Sequence, residues 1–308
     1  MTGQFLHIVW NPSEGIDLGF FVIRYYSLMF VIAFGLGWYI MKKIFIRENE
    51  PIEKLDSLFV YTVLATLIGA RMGHVIFYQP ELFKEDFWSV FLPIRTQPTF
   101  EFTGFSGLAS HGAAIAIIII MYYFSKKIMK RPLLWVLDRV VIPVASGSIF
   151  VRIGNFMNSE ILGETTNSPF GIKFIHDALN KRDAMAQTQI GDYKEAYKAI
   201  AENPQFADLL TAIPAKHPAQ LYEAFGYVFV FIILMFLYWK TDARQKQGYL
   251  LGVFLVLLWT VRFAVEFLKE SQGGFESNFG NILTTGQWLS IPFILAGIFL
   301  IVRAKKTV

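Results

Sequence analysis

Arg152, Asn155, Asn158 and Glu160 fall in one short run, Val151-Arg152-Ile153-Gly154-Asn155-Phe156-Met157-Asn158-Ser159-Glu160, where a long apolar stretch ends. A guanidinium, two carboxamides and a carboxylate in such a place can grip an anion and orient or accept a proton. An Arg near a bilayer centre costs about 2.5–3.5 kcal/mol on insertion scales, so charged residues kept there usually line a site. The ordinary explanation is that Arg152 snorkels to the headgroups while the Asn residues cap a helix. The rest of the chain argues against that explanation, because similar groups recur beside other apolar stretches: Arg24 and Tyr26, Arg71 and His74, His111, then His217, Gln220, Tyr222 and Glu223, and finally Arg262 and Glu266.

The elements that must position these residues are apolar blocks. Hydrophobic residues make up 54% of the 308-residue chain and come in runs of about 20, the length of a membrane span. Seven are expected, at about 22–41, 57–78, 107–125, 133–152, 218–239, 248–268 and 287–303. The sequence therefore reads as a single all-α integral membrane domain of about seven transmembrane helices. A small polar outer cap is expected between helices four and five, at about 161–217, with two or three short helices punctuated at Asn203-Pro204 and Ile213-Pro214. No cleavable signal peptide is expected, since Glu14 and Asp17 interrupt the apolar content and no basic region precedes a short apolar core.

Charge sets the expected orientation. Lys42, Lys43, Arg47 and Lys54 follow the first span, and Lys126, Lys127, Lys130, Arg131 and Arg139 follow the third. Lys240, Arg244 and Lys246 follow the fifth, and Arg303, Lys305 and Lys306 the seventh. The short alternate loops hold only Lys84, Arg95 and Lys269. By the positive-inside rule the N-terminus faces out and the C-terminus lies in the cytoplasm. The unusual polar groups of six helices then fall at similar depth toward the outer leaflet, whereas snorkelling would act at both faces.

Several of these residues have structural readings. Arg262 and Glu266 are spaced i, i+4 and can pair on one helix face. His217-Pro218 reads as a helix start. Gly69-Ala70-Arg71-Met72-Gly73 contains a small-xxx-small pattern that lets helices approach closely. Together, though, three arginines with Asn and Gln donors suit a phosphate, since the guanidinium is a fixed fork of donors. At this depth the available phosphates belong to lipid headgroups. His111 has an imidazole suited to act as base near neutral pH. The residues alone point to a membrane enzyme or a carrier acting on an anionic phospholipid. A transporter would more often show internal repeats and a midplane site, and neither is visible. The chain has no cysteine, which excludes disulfides, thiolate nucleophiles of its own and Cys-ligated metals. No cofactor, no metal and no nucleic acid is expected, and the oligomeric state stays open.

The run Arg152 to Glu160, followed by Gly163, resembles the signature of the phosphatidylglycerol–prolipoprotein diacylglyceryl transferases. Four further stretches agree with that family in order and spacing: Arg24-Tyr25-Tyr26-Ser27-Leu28-Met29-Phe30, Gly69 to Tyr78, His217-Pro218-Ala219-Gln220-Leu221-Tyr222-Glu223, and Arg262-Phe263-Ala264-Val265-Glu266-Phe267. Ser110-His111-Gly112 matches the family's histidine motif. The resemblance implies transfer of the diacylglyceryl group of phosphatidylglycerol to the lipobox cysteine thiol of a preprolipoprotein. A thioether forms and glycerol phosphate leaves, at the outer face of the bacterial cytoplasmic membrane. Its partners would be phosphatidylglycerol, the lipobox peptide and membrane lipids.

By the same resemblance, Arg152 and Arg262 hold the headgroup phosphate and stabilise the leaving group, Asn155 adds a donor, and His111 is the base for the thiol. Tyr26, Glu160, Glu223 and Glu266 position these groups, while Asn158, Gly163 and Arg71 complete the substrate site. The chain departs from the family at Ala113-Ala114 and Ser106, where glycine is common, at His74 in place of a tyrosine, and in a longer outer insertion.

Overall fold

The computed structural model describes residues 7–19, 22–92, 94–96, 99–102, 107, 109–270 and 282–305. Ser106 and Lys306, invoked above, lie outside them. Strands β1 (Ile8–Trp10), β2 (Gly15–Asp17) and β3 (Val22–Arg24) precede helices α1 (Tyr25–Glu48) and α2 (Ile52–Tyr78). Short helices α3 (Leu82–Glu85) and α4 (Phe87–Phe91) and strands β4 (Ile94–Arg95) and β5 (Glu101–Phe102) lead to α5 (Ser110–Tyr123), which continues as a π-helical turn, and α6 (Leu133–Met157). Then come β6 (Ile172–Phe174), α7 (Ile175–Ala178), α8 (Lys181–Thr188), α9 (Tyr193–Glu202), α10 (Ala207–Ala212) and β7 (Ala215–Lys216). The chain closes with α11 (Ala219–Lys240), α12 (Tyr249–Val265) and α13 (Thr285–Arg303).

Among the described residues seven helices are long and apolar enough to cross a membrane, at Tyr25–Glu48, Ile52–Tyr78, His111–Met129, Leu133–Met157, Ala219–Lys240, Tyr249–Leu268 and Thr285–Arg303. All seven expected spans are found. The first runs past its expected end at 41 because Lys42, Lys43 and Arg47 continue the helix instead of opening a loop. The Lys42 ammonium lies over the Trp38 ring at 5.1 Å and that of Lys43 over Tyr39 at 5.4 Å, one turn back on the same helix.

The chain packs as two compact units, Met1–Gly37 with Val141–Val308, and Trp38–Val140. In the second unit α2 and α5 meet through glycine. A Cβ added at Gly73 would stand 2.6 Å from Gly112 Cα, and one at Gly112 would strike Gly73 in turn. The small-xxx-small stretch is thus a packing seam. Gly73→Val is expected to destabilise this pair by about 1–3 kcal/mol through overpacking, read as a lower unfolding temperature in detergent; an unchanged temperature would reject the seam. At the other end of this unit Glu50 is held by Lys54 at 3.0 Å and Arg131 at 2.9 Å, and Arg139 by Glu48 at 3.0 Å.

In the first unit α12 packs on α13 by a similar glycine contact, Gly252 against Gly297, and Trp259 stacks on Phe293 at 4.2 Å with the rings 5° from parallel. The segment between α6 and α11 has a core of its own, made by Ile175, Ala184, Ala196, Tyr197, Ile200 and Ile213, with Val9 packed against it. Two or three short helices were expected there. Four form, because Asn180 and Asp192 cap α8 and α9 through their side chains and Asn203 caps a 3₁₀ turn before α10. β1 runs parallel to β6, and β7 antiparallel to it, so the start of the described chain is sewn into this segment. His176 bonds Asn11 Oδ1 at 2.8 Å, and burial holds its imidazole pKa below the usual value. Burial works against the charge of Lys216, but ion pairs to Asp177 at 2.7 Å and Glu270 at 2.8 Å raise its pKa.

Candidate active site

The first unit gathers most of the proposed residues. Arg152 and Asn155, three apart on α6, share a helix face, and Arg152 Nη1 donates to Asn155 Oδ1 at 3.1 Å. The helix stops at Met157 and the chain folds back through left-handed backbone at Ser159 (φ 53°) and Ile161 (φ 61°). A β-branched residue at positive φ is a genuine outlier, costing about 1–3 kcal/mol, and such conformations gather at functional sites. The reversal brings Glu160 beneath the helix end: Glu160 N–H donates to Asn155 O at 3.1 Å, and Asn155 Nδ2 donates to Glu160 Oε1 at 2.7 Å. Gln220, in the first turn of α11, clamps the same turn by donating from Nε2 to Glu160 O.

Glu223, fully buried one turn further along α11, pairs with Arg152 Nε and lies 3.6 Å from Lys269 Nζ. Lys269 also meets Glu266 Oε2 at 3.4 Å, with side-chain exposures of only 3% and 7%. The chain of charges therefore runs Arg152, Glu223, Lys269, Glu266 through a nearly dry interior. Tyr227, buried one turn beyond Glu223 on α11, interacts electrostatically with Glu223 and Arg152. Arg262 Nε is buried with no hydrogen-bond partner among the described residues, and the guanidinium lies 5.6 Å from the Trp259 ring. Tyr26 completes the group, near Asn155, Glu160 and Arg152, its ring backed by Gly154, where a Cβ would sit 3.0 Å from Tyr26 Cδ2.

The pairing that the i, i+4 spacing of Arg262 and Glu266 allows is not the one made: Glu266 pairs with Lys269. Gly163 acts through its backbone. Its N–H donates to His217 O at 2.9 Å, it bridges to Lys269, and an added Cβ would lie 2.8 Å from that same carbonyl. Asn158 is exposed and closes α6 through its backbone N–H on Gly154 O at 3.0 Å. Lys269 and Tyr227 were missed as site residues. Their signal was present as spacing, Lys269 three residues after Glu266 and Tyr227 four after Glu223.

Arg71 and His111 belong to the other unit. Arg71 donates to the carbonyls of Ser89, Val90 (3.2 Å) and Gly107 (3.4 Å), pinning the segment between α2 and α5. Asp86 braces that segment by accepting from Ser89 Oγ, Thr96 N and Thr96 Oγ1, each at 2.6 Å, and these bonds hold its carboxyl far below the usual carboxylate range. His111 stands in the first turn of α5, exposed, with its ring 5.0 Å from Phe77 and 5.9 Å from Tyr78.

Seven apolar helices define a multi-pass membrane protein, and its first unit holds a buried cluster of arginine, lysine, carboxylate and carboxamide side chains. The model of the family described as prolipoprotein diacylglyceryl transferase matches residues 14–303. Proteins named phosphatidylglycerol–prolipoprotein diacylglyceryl transferase are similar along nearly the whole length. One from Tolumonas auensis is 34% identical, covering 97% of this chain and 98% of its own. One from Porphyromonas gingivalis is 37% identical over 92% and 89%, and one from Bacteroides fragilis 33% over 97% and 96%. The chain belongs to the prolipoprotein diacylglyceryl transferase family, and it is an enzyme, a transferase.

Proposed function

We propose that this transferase moves the diacylglyceryl group of phosphatidylglycerol to the lipobox cysteine of preprolipoproteins. The cysteine sulfur attacks the glycerol carbon esterified to phosphate. A C–S bond forms as the C–O bond breaks, the bonding pair stays on the phosphate oxygen, and the thiol proton passes to a base. Glycerol phosphate leaves and the peptide keeps a thioether. The observation that carries this reading is a pair of arginines on the helices of the first unit: Arg152, held between Glu223 and Asn155 Oδ1, and Arg262, whose buried Nε has no hydrogen-bond partner among the described residues. The leaving phosphate gains negative charge as the C–O bond breaks, and guanidinium groups preorganised in a dry site favour that charge more than the ground state. Asn155 supplies a further donor, Tyr26, Glu160, Glu223 and Glu266 position the cations, and His111 is the base that the family resemblance assigns.

Both units are taken as parts of one transferase in the bacterial cytoplasmic membrane, with the N-terminus outside, the C-terminus inside and the site toward the outer leaflet. The basic clusters at Lys42, Lys126, Lys240 and Arg303 support that orientation. Purified protein mixed with phosphatidylglycerol and a lipobox peptide is expected to add one diacylglyceryl mass to the peptide, and none when the cysteine is serine. Arg262→Ala is expected to slow this by about 10²–10³-fold. No added mass with the unaltered protein would overturn the function, and near-normal turnover by Arg262→Ala would remove the phosphate argument.

A further inference from the structure

Glu266 has two cations within its helical reach, and the structure gives it only one. Arg262 lies one turn back at i, i+4, the spacing at which Arg and Glu ordinarily pair. Glu266 instead meets Lys269 at 3.4 Å. The backbone explains the choice. After Val265 the α-helix tightens into a 3₁₀ turn at Glu266–Leu268, and in that geometry residues i and i+3 eclipse. Lys269 is thereby placed over Glu266, and its own backbone is fixed from outside. Gly163 bridges to it, Glu164 N–H donates to Leu268 O at 2.8 Å and Glu270 N–H to Leu162 O at 3.3 Å. The carboxylate has no exit, since Gly286 packs directly on it and the residue is 6% exposed.

We propose that Lys269 is a positioning residue: by holding Glu266 it keeps that carboxylate off Arg262 and leaves the Arg262 guanidinium for the lipid phosphate. This rests on the lipid-phosphate reading above. Arg262 Nε is buried without a hydrogen-bond partner among the described residues, as a donor kept open for an incoming anion would be. Glu223 also touches Lys269, but Arg152 compensates it independently.

The test is a mutant cycle read by binding of dioleoyl phosphatidylglycerol to purified protein, with dioleoyl phosphatidylcholine as control, alongside the peptide assay. Lys269→Met is expected to weaken phosphatidylglycerol binding about tenfold or more, since close buried charge pairs couple strongly, because Arg262 turns to the freed Glu266. Lys269→Arg retains binding. In a Glu266→Gln background the captor is gone, so adding Lys269→Met changes affinity by no more than about twofold, the scatter of independent sites. A purely structural lysine would weaken both backgrounds alike, and that result overturns the proposal, as does unaltered affinity in Lys269→Met. Should Lys269→Met not accumulate, Glu266→Gln and its double variant decide alone. If the unaltered protein binds phosphatidylglycerol yet transfers nothing to peptide, the function reading fails while the cycle still judges Lys269.

Discussion

Arg152→Ala is expected to reduce transfer by more than about 10³-fold while the protein still inserts in the membrane. Two effects act together. Removing one preorganised donor from a developing anion costs about 10²–10³ in rate. In addition, Arg152 holds Glu223, whose side chain is 1% exposed. Breaking a buried pair by removing one partner costs about 3–5 kcal/mol, because the other charge is left behind. Glu223 would keep only Lys269, at 3.6 Å, drawing that lysine from Glu266. Arg152→Lys should restore little. Nε serves Glu223 while Nη1 serves Asn155, and an ammonium cannot span both at the angle of the fork. Peptide mass addition, normalised to protein recovered from membranes, is the measurement. A rate above one tenth of the unaltered protein's would mean that Arg152 is no phosphate ligand.

His111→Ala is expected to lower the rate at neutral pH by about 10²–10⁴-fold, the usual contribution of a positioned base. The loss should shrink as pH rises. A free cysteine thiol has a pKa near 8.5, so alkaline solution supplies the thiolate that the histidine would otherwise generate. The fold should tolerate the change, since His111 is exposed and its ring contacts are edge contacts to Phe77 and Tyr78. Rates measured from mildly acidic to alkaline pH on both proteins decide the matter. A pH-independent deficit would make His111 a shape element, and no deficit at any pH would move the base elsewhere.

The seven spans were legible because a bilayer demands about 20 apolar residues in a row, and that demand is written residue by residue. The convergence of Arg152, Asn155, Glu160 and Glu223 was legible too, since each is an expensive residue beside an apolar block. Partner choice was not. Arg262 and Glu266 have the spacing of a pair, but a local change from α to 3₁₀ geometry favours Lys269. Lys269 itself was counted only as one of the few cations of the short loops, because the backbone bridge to Gly163 that holds it inside has no sequence signature. Arg71 was expected at the substrate, and its donors are found on three backbone carbonyls. Such carbonyls carry no signature in composition. Gly163 was expected in the substrate site, and its need for glycine is set by the approach of the 217 backbone, which no composition signals.

The strip from Leu162 to Thr166 is stitched to both His217 and Leu268, through Gly163 N–H, Glu164 N–H and the His217 N–H that returns to Glu164 O at 3.0 Å. Three stretches far apart in the chain thereby meet in one small knot, two residues after Glu160 and bridged to Lys269. A pull on any one of these stretches would be carried to the other two, so Glu160 and Lys269, each next to the knot in sequence, share one backbone anchor.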